Sequence, residues 1–416
     1  MSVQQHAAPV DALTGIGAGY LRNPAGRMEQ RVLRRVKITW LLLLLNVLTY
    51  YSAMPTLLGI PGTVGKVCTQ VALLAALLLA LTTNRPITVR PNVALVLITL
   101  LVAGSLVAVF HAQFALGAVF RTGRLAGFIA VLWLLSPWWG REDLLFVKAH
   151  LTGVWAVLGS VCLGVALAPG LALQDNRLTG AIWPVPPTQV AHYAAVATGL
   201  AIVLWLSGRL RRELALLSVA IAVPMLLLTH TRTALVAMLA GVFIAGLSLF
   251  TARARVRRAF AVGFIVLSLG MLTVSSLVTT WLARGQDTEQ LMQLTGRTKV
   301  WDAVVAEPRT AFEYIFGFGL TNKSFNGLPI DSNWLAAYHD QGLFGVTVTA
   351  ALLLFLLVLA AFRPQGPKRA LAIFLVVYSF VASFTETGPS DASLYLLEVA
   401  LAAILLTTRS TVRGTS

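Results

Sequence analysis

Apolar runs recur from Val36 to Thr407, each close to the length that crosses about 30 Å of hydrocarbon. None shows the period-two alternation of a membrane strand, so helices, which satisfy their own backbone groups, are the expected elements. Twelve spans are predicted, at roughly 36–57, 64–82, 92–110, 119–137, 149–168, 188–206, 213–228, 232–250, 258–281, 333–362, 369–385 and 391–408. An even count puts both termini on one side. The seventh and eighth are the tightest, because Leu214 to Phe250 must hold two crossings and a turn. Pro224 predicts a kink there, and a re-entrant segment in place of one crossing stays open.

Composition agrees with the pattern. With 57 % apolar and 12 % charged residues, a chain of 416 residues has too little polar surface to cover a soluble globule. The expected fold is all-α, a polytopic membrane helix bundle with lipid as its solvent. Its organisation reads as a cytoplasmic tail over 1–35, spans over 36–281, one large outward loop over 282–332, further spans over 333–408 and a second cytoplasmic tail over 409–416. The N-terminal segment carries Pro, Gly and several Arg but no apolar core ahead of a cleavage site, so the first span reads as an uncleaved anchor. Cys68 and Cys162 both fall inside apolar spans and suggest neither a disulfide framework nor a zinc site.

Charge then sets the orientation. Of 32 Lys and Arg residues, 22 fall in alternate segments that share a side with the N-terminus, the pattern of positive charge retained in the cytoplasm. The formal charge of +16 therefore calls for no nucleic acid; anionic headgroups beside the basic loops account for it. Ten cations remain on the outward side: Lys66, Arg121, Arg124, Arg177, Arg232, Arg284, Arg297, Lys299, Arg309 and Lys323. Orientation gives them no purpose. Arg232 opens the eighth span, where unpaired N–H groups and the positive dipole end face outward, an arrangement that cradles an anion. Simple snorkelling to the interface is the competing reading. Arg121 and Arg124 lie three residues apart on one helical face, and Arg177 comes from another outward loop. Within the long loop, "LTGRTKVWDAVVAEP" predicts an amphipathic helix on the membrane face and "IFGFGL" a tight glycine turn.

Four stretches together carry a family resemblance. "DNRLTGAIWPVPPTQVAHYAA" is similar to the Arg-x-x-Gly segment that precedes a helix in the O-antigen ligase and polymerase family of bacterial membrane glycosyltransferases. "THTRTALVAMLAG" resembles the family's Ser/Thr-Arg-Thr/Ser-Ala helix start, "TGRTKVWDAV…FGFGL" its Gly-Arg-x-x-x-Trp and Gly-x-Gly loop, and "DSNWLAAYHDQGLFG" its Asn-x-x-Leu followed by Gly-Leu-x-Gly. They occur in family order from about Asp175 to Gly345; before residue 170 only the hydropathy is alike.

The resemblance implies a GT-C-like bundle of about twelve spans in the cytoplasmic (inner) membrane of a bacterium, serving cell-envelope polysaccharide biosynthesis. Its members move glycan from a polyprenyl-diphosphate-linked oligosaccharide donor to a glycan or lipid-glycan acceptor at the outer face, with no cofactor and no metal. Consistently, the chain has no Asp-x-Asp and no His/Asp/Glu cluster at metal-ligand spacing. Arginine forks would bind the diphosphate and stabilise the charge that grows on it as the glycosyl bond breaks, with inversion at the anomeric carbon. Carried over from the family, Arg177 and Arg232 take that role first and Arg297 third; Arg121 and Arg124 join on topology alone.

The chain departs from the ligases at one place. They hold a His just before the Asn of the "NWL" motif, where this chain has Asp331 and Ser332. Asp331 is then either the general base or a cap for the tenth helix. His339, about 12 Å further along a helix and about 80° around it, cannot replace a residue at 331, and either lines the cavity or is a buried structural histidine. Glu386, in "FTETGPSDAS", is a third candidate, with polar capping as its alternative. Without the His, the chain leans toward a polymerase rather than a ligase. Trp183, Trp301, Tyr314 and Trp334 are sugar-stacking candidates, though a membrane interface also collects such rings. A carrier of lipid-linked glycan stays open as a second class, against which stand the absence of a matched pair of broken helices and the one-sidedness of the cations. Nothing specific favours a non-catalytic scaffold.

Overall fold

The computed structural model describes residues 24–52, 54–112, 114–265, 297–386 and 388–408. The ninth predicted span beyond residue 265, Arg284 and both chain ends lie outside these residues. The protein is mostly helical: α1 (Pro24–Val47), α2 (Gly62–Thr83), α3 (Val93–Val109), α4 (Ala115–Leu135), α5 (Asp143–Leu167), the single turn α6 (Pro169–Ala172), α7 (Pro187–Leu206), α8 (Arg212–Leu228) and α9 (Arg232–Leu249). After a helical stretch at 254–265 and a gap come α10 (Arg297–Ala306), α11 (Ala311–Phe316), α12 (Asn333–Phe362), α13 (Pro367–Ala382) and α14 (Leu394–Leu406). Six helices among the described residues, α2, α4 with the turn after it, α5, α7, α9 and α12, are long and apolar enough to cross a membrane, and α3 and α14 are shorter apolar helices. Pro224 sits inside α8 without ending it.

Local chemistry starts and stops these elements. Asn92 caps α3 by accepting from the Ala94 N–H, Ser393 caps α14 through Leu396, and Thr310 with Glu313 forms a reciprocal capping box on α11. Two miniature hairpins need left-handed turn residues. Asp175 and Asn176 (φ 48° and 57°) join β1 (Leu173–Gln174) to β2 (Arg177–Leu178); Asn326 and Gly327 (φ 49° and 79°) join β3 (Ser324–Phe325) to β4 (Leu328–Pro329).

The helix α7 is buried along nearly its whole length, and α14 is buried throughout, so these two form the centre of the bundle. Around them α2, α4 and α9 turn Val67, Val71, Phe120, Leu239 and Phe243 outward, an apolar belt whose natural solvent is lipid. One carboxylate lies in the centre. Glu398 Oε1 is 2.7 Å from His192 Nε2 and 3.8 Å from His150 Nε2, all three fully buried, which ties α14 to α7 and α5.

Contacts between loops sort the connections onto two ends. At one end the Arg90 N–H donates to Ser136, Asn92 to Thr407, Arg255 to the Trp205 carbonyl, and Lys368 pairs with Asp143. This is the basic end. At the other, the mouth, Tyr51 and Leu57 bond the 181–184 backbone, Trp183 donates to the Thr49 carbonyl, Asn333 bonds Ser383, and His111 stacks on Phe312.

A break in α12 shapes the mouth. Gly342 has φ 64° and ψ −161°, so the helix ladder is interrupted one turn below His339. In a continuous helix the His339 and Asp340 carbonyls would bond residues 343 and 344; here the Phe318 and Gly319 N–H groups take them, both at 2.9 Å. That is why the "FGFGL" turn is rich in glycine. A Cβ on Gly317 (φ 74°) would stand 2.5 Å from the Gln341 backbone, and one on Gly342 would stand 2.3 Å from the Ile315 carbonyl oxygen. Gln341 beside the break donates to Ser105 and to the Ser390 carbonyl, tying α3 to the connection before α14.

Gly342→Ala is expected to lower the thermal midpoint in detergent, because backbone strain at such a position costs about 1–3 kcal/mol before the clash is counted. Gly366→Ala is the matched control: its φ of 175° suits any residue and nothing lies within 4 Å of the added methyl. Equal midpoints for the two variants would contradict this account of the break.

Candidate functional site

The β1–β2 hairpin presents Arg177 to the turn between α8 and α9. Its Nε donates to the Thr229 carbonyl at 2.9 Å and its Nη2 to Thr231 Oγ1 at 3.4 Å. The guanidinium therefore closes the end of α8, whose last carbonyls have no helical partner, and holds the left-handed His230 (φ 52°) from which α9 springs. Arg232 is the first residue of α9. One residue on, Thr233 Oγ1 lies 2.6 Å from Thr385 Oγ1, which fastens α9 to the segment carrying Glu386.

Arg297 opens α10 and donates through Nε to Asp331 Oδ2 at 3.0 Å, with both side chains part-exposed. The cap reading of Asp331 does not hold in the structure. Ser332 occupies the cap position of α12 with no side-chain bond, and the Asp331 carboxylate faces Arg297 instead. The predicted helix over "RTKVWDAVVA" is present as α10, and packs Val300 and Val304 on Ile330 and Ala336.

Electrostatics joins these groups. Burial pushes the Glu386 carboxyl up to about 7; Arg297 and Arg177 pull it down, and Asp331 pushes it further up. Arg177 is lowered from its usual value by burial, against the opposing pull of Glu386. Four of the eight residues singled out from sequence thus interact with one another, Arg177, Arg297, Asp331 and Glu386, and a fifth, Arg232, begins α9 at the turn that Arg177 grips.

The other three lie elsewhere in the mouth. Arg121 and Arg124 line a cavity of about 950 Å³ with Lys66, Lys323 and Asp391. His339 lines a second cavity of about 550 Å³, which shares Arg121 and Asn322 with the first. Its Nδ1 is 3.0 Å from Asp340 Oδ1 and its Nε2 is 3.8 Å from Glu307 Oε2. Of the aromatic candidates, Trp183 is spent on structure, bonding the Thr49 carbonyl and meeting Tyr50 edge to face, and Trp334 packs against Phe380 and Phe384.

Sequence reasoning passed over Asp391, Asn333 and the buried Glu398. Glu398 had a signal, being the only carboxylate in the apolar run 394–406. Asn333 had none beyond its motif, yet its Oδ1 accepts both the Ser390 N–H (3.2 Å) and the Ser390 hydroxyl (2.8 Å), which holds the connection that carries Glu386 and Asp391. No protein-family model matches the chain, and no curated protein matches it.

The raised Glu386 carboxyl has a sign that can be checked. The folded protein holds that proton between about 4.5 and about 7 while the unfolded chain releases it, so this group's contribution to stability is present at low pH and is lost as pH rises through about 7. Isotope-edited infrared difference spectra against Glu386→Gln should titrate a carboxyl band near 7, and Arg297→Gln should move it upward. A band already ionised at pH 5 would contradict the placement.

Proposed function

We propose that the protein is a membrane glycosyltransferase that moves glycan from a polyprenyl-diphosphate donor to an acceptor hydroxyl at the outer face of the cytoplasmic membrane. In this reading twelve spans put both termini in the cytoplasm, the basic end faces inward and the mouth faces out. The observation that carries it is the convergence of Arg177 and Arg297 on Glu386, beside the helix start at Arg232, at the end of the bundle where positive charge has no orienting purpose.

The chemistry follows from charge. A diphosphate held by arginine forks is matched before reaction, and the forks gain strength as its charge grows. The acceptor oxygen attacks the anomeric carbon from the side opposite the diphosphate, and the carbon–oxygen bond breaks with its electron pair leaving on the diphosphate. The hydroxyl proton passes to the Glu386 carboxylate. Products are an inverted glycoside and a free polyprenyl diphosphate. A carboxyl near 7 suits that base, since half of it is ionised at neutral pH and it still holds a proton well enough to accept one. Asp331 serves to aim Arg297, and His339 belongs to the neighbouring cavity. The leaning is to a polymerase, with a ligase as the alternative.

A carrier of lipid-linked glycan is the second reading, favoured by the break of α12 at Gly342, since transporters build substrate sites at broken helices.

Purified protein given lipid-linked glycan separates these readings: a ladder of products indicates polymerisation, a single shift ligation, and translocation across vesicles without either indicates a carrier. Arg232→Ala should lower turnover by about 10²–10³-fold. Glu386→Gln should lower it by about 10²–10⁴-fold and remove the loss of activity that the wild type shows as pH falls below about 7. EDTA should leave transfer unchanged. Undiminished transfer by both variants would overturn the assignment.

A further inference from the structure

Away from the mouth, the basic end holds its own concentration of cations. Arg141 before α5, Arg209 after α7, Arg363 between α12 and α13, and Lys368 and Arg369 in the first turn of α13 line a cavity of about 500 Å³. Arg209 is also a wall of an adjoining cavity of about 450 Å³, which Arg211, Arg212 and Arg255 line with it. No carboxylate lines either one. Asp143, the buried acid beside them, is taken by Lys368. Among the described residues none of the seven arginines pairs with an acid within 4 Å.

Orientation in a membrane does not explain this geometry. An orienting charge needs only to stay in water, as the exposed side chains of Arg211, Arg212 and Arg258 do. Arg363 and Arg369 are built in instead. Arg363 Nη2 donates to the carbonyl of Leu406, the last residue of α14, and Arg369 Nη1 donates to the Arg363 carbonyl at 3.0 Å, while the Nε of each is buried without an acceptor. The floor of the cavity is equally fixed. Gly140 (φ 75°) runs so close to the end of α14 that a Cβ on it would stand 3.0 Å from the Thr407 carbonyl oxygen, and Thr407 Oγ1 accepts from Asn92. Guanidinium groups aimed by backbone carbonyls and left with unused N–H groups are preorganised for an anion.

The number and setting of the cations narrow the anion. Guanidinium forks match phosphate oxygens, and seven unpaired arginines around two adjoining cavities exceed what a single phosphate can match. The first cavity also has an apolar edge: Leu144, in its lining, is 38 % exposed, and Phe362, the residue before Arg363, is 85 % exposed. Basic pockets between helices at such a boundary take lipid headgroups, while the exposed Arg211 and Arg212 leave the other side open to water.

We propose that the two cavities form one binding site for a molecule that carries two phosphates, one held by Arg141, Arg363 and Arg369 and the other by Arg209, Arg211 and Arg255. The chemistry recognised is the same whether the molecule is a phospholipid with a two-phosphate headgroup or a soluble diphosphate. Occupied, the site joins the start of α5, the α7–α8 turn, the start of α13 and the end of α14. It uses no residue of the mouth and holds whatever reaction the mouth performs.

Native mass spectrometry of the full-length protein in detergent tests it, with diphosphatidylglycerol as the lipid probe and inorganic pyrophosphate as the soluble one. The wild type should bind one equivalent. Arg369→Gln should weaken that binding by about tenfold or more, and so should Arg209→Gln, whose exposed side chain makes no hydrogen bond among the described residues and is therefore safe for folding. Arg258→Gln removes the same charge from the same end outside both cavities, and should change the affinity less than twofold. Lipid retained against excess pyrophosphate supports the site with a phospholipid as its ligand, and pyrophosphate that displaces the lipid supports it with a soluble diphosphate. Equal weakening by all three variants would reduce the site to diffuse charge and overturn it. So would phosphatidylglycerol, with its single phosphate, binding as tightly as diphosphatidylglycerol, or a wild type that binds neither probe.

Discussion

A guanidinium cannot shed its proton to escape a lipid-walled site, so each arginine in the mouth must be matched by a carboxylate, by carbonyls or by something from outside. The chain supplies half as many acids as bases, 16 against 32, and the acids at the mouth include Glu307, Asp331, Asp340, Glu386 and Asp391. Arg177 is matched in part by the carbonyl and hydroxyl of the α8–α9 turn, and Arg297 by Asp331. Glu386, which both arginines pull toward its charged form, is pushed up to about 7 by burial and so supplies only part of a charge at pH 7. In the proposed function a doubly anionic headgroup docks among these arginines.

The same requirement of satisfied polar groups explains the backbone around the site. Breaking α12 at Gly342 frees carbonyls that the hydrocarbon cannot hydrate, and the glycine turn after α11 answers them with its own N–H groups. The break in turn points Gln341 at α3 and at Ser390, while Asn333 grips Ser390 from the start of α12. Glu386 and Asp391, one for each set of cations, are thereby positioned by amides rather than by charge. A polar pin of this kind fixes geometry without competing with the arginines for the anion.

Much of this was legible in the chain, and the reasons are specific. Apolar length marks a helix whatever it packs against, which is why α2 to α5, α7 to α9 and α12 to α14 stand where the runs predicted them. Arg177, Arg232, Arg297, Asp331 and Glu386 could be chosen because charge next to an apolar run is costly and therefore conspicuous. The partition of the arginines could not be read. Arg121 and Arg124 look the same as Arg232 from hydropathy, and only the packing of α4 against α2 and the 322–323 loop assigns them to a different cavity. For Asp331 the choice between base and cap stayed open in the sequence, because a residue ahead of a helix reads as a cap until a partner 34 positions away claims it. The His–Glu–His cluster of α5, α7 and α14 was hidden because its members are far apart in sequence and each looks alone.

The claim that a diphosphate docks among Arg177, Arg232 and Arg297 is tested most directly by solid-state NMR distance measurement between ³¹P of bound polyprenyl diphosphate and ¹⁵N of labelled arginine side chains. Dephasing at hydrogen-bond range, lost when Arg177 and Arg232 are both changed to lysine, is the predicted result. Dephasing that survives those changes and disappears with lysine at Arg121 and Arg124 would contradict it.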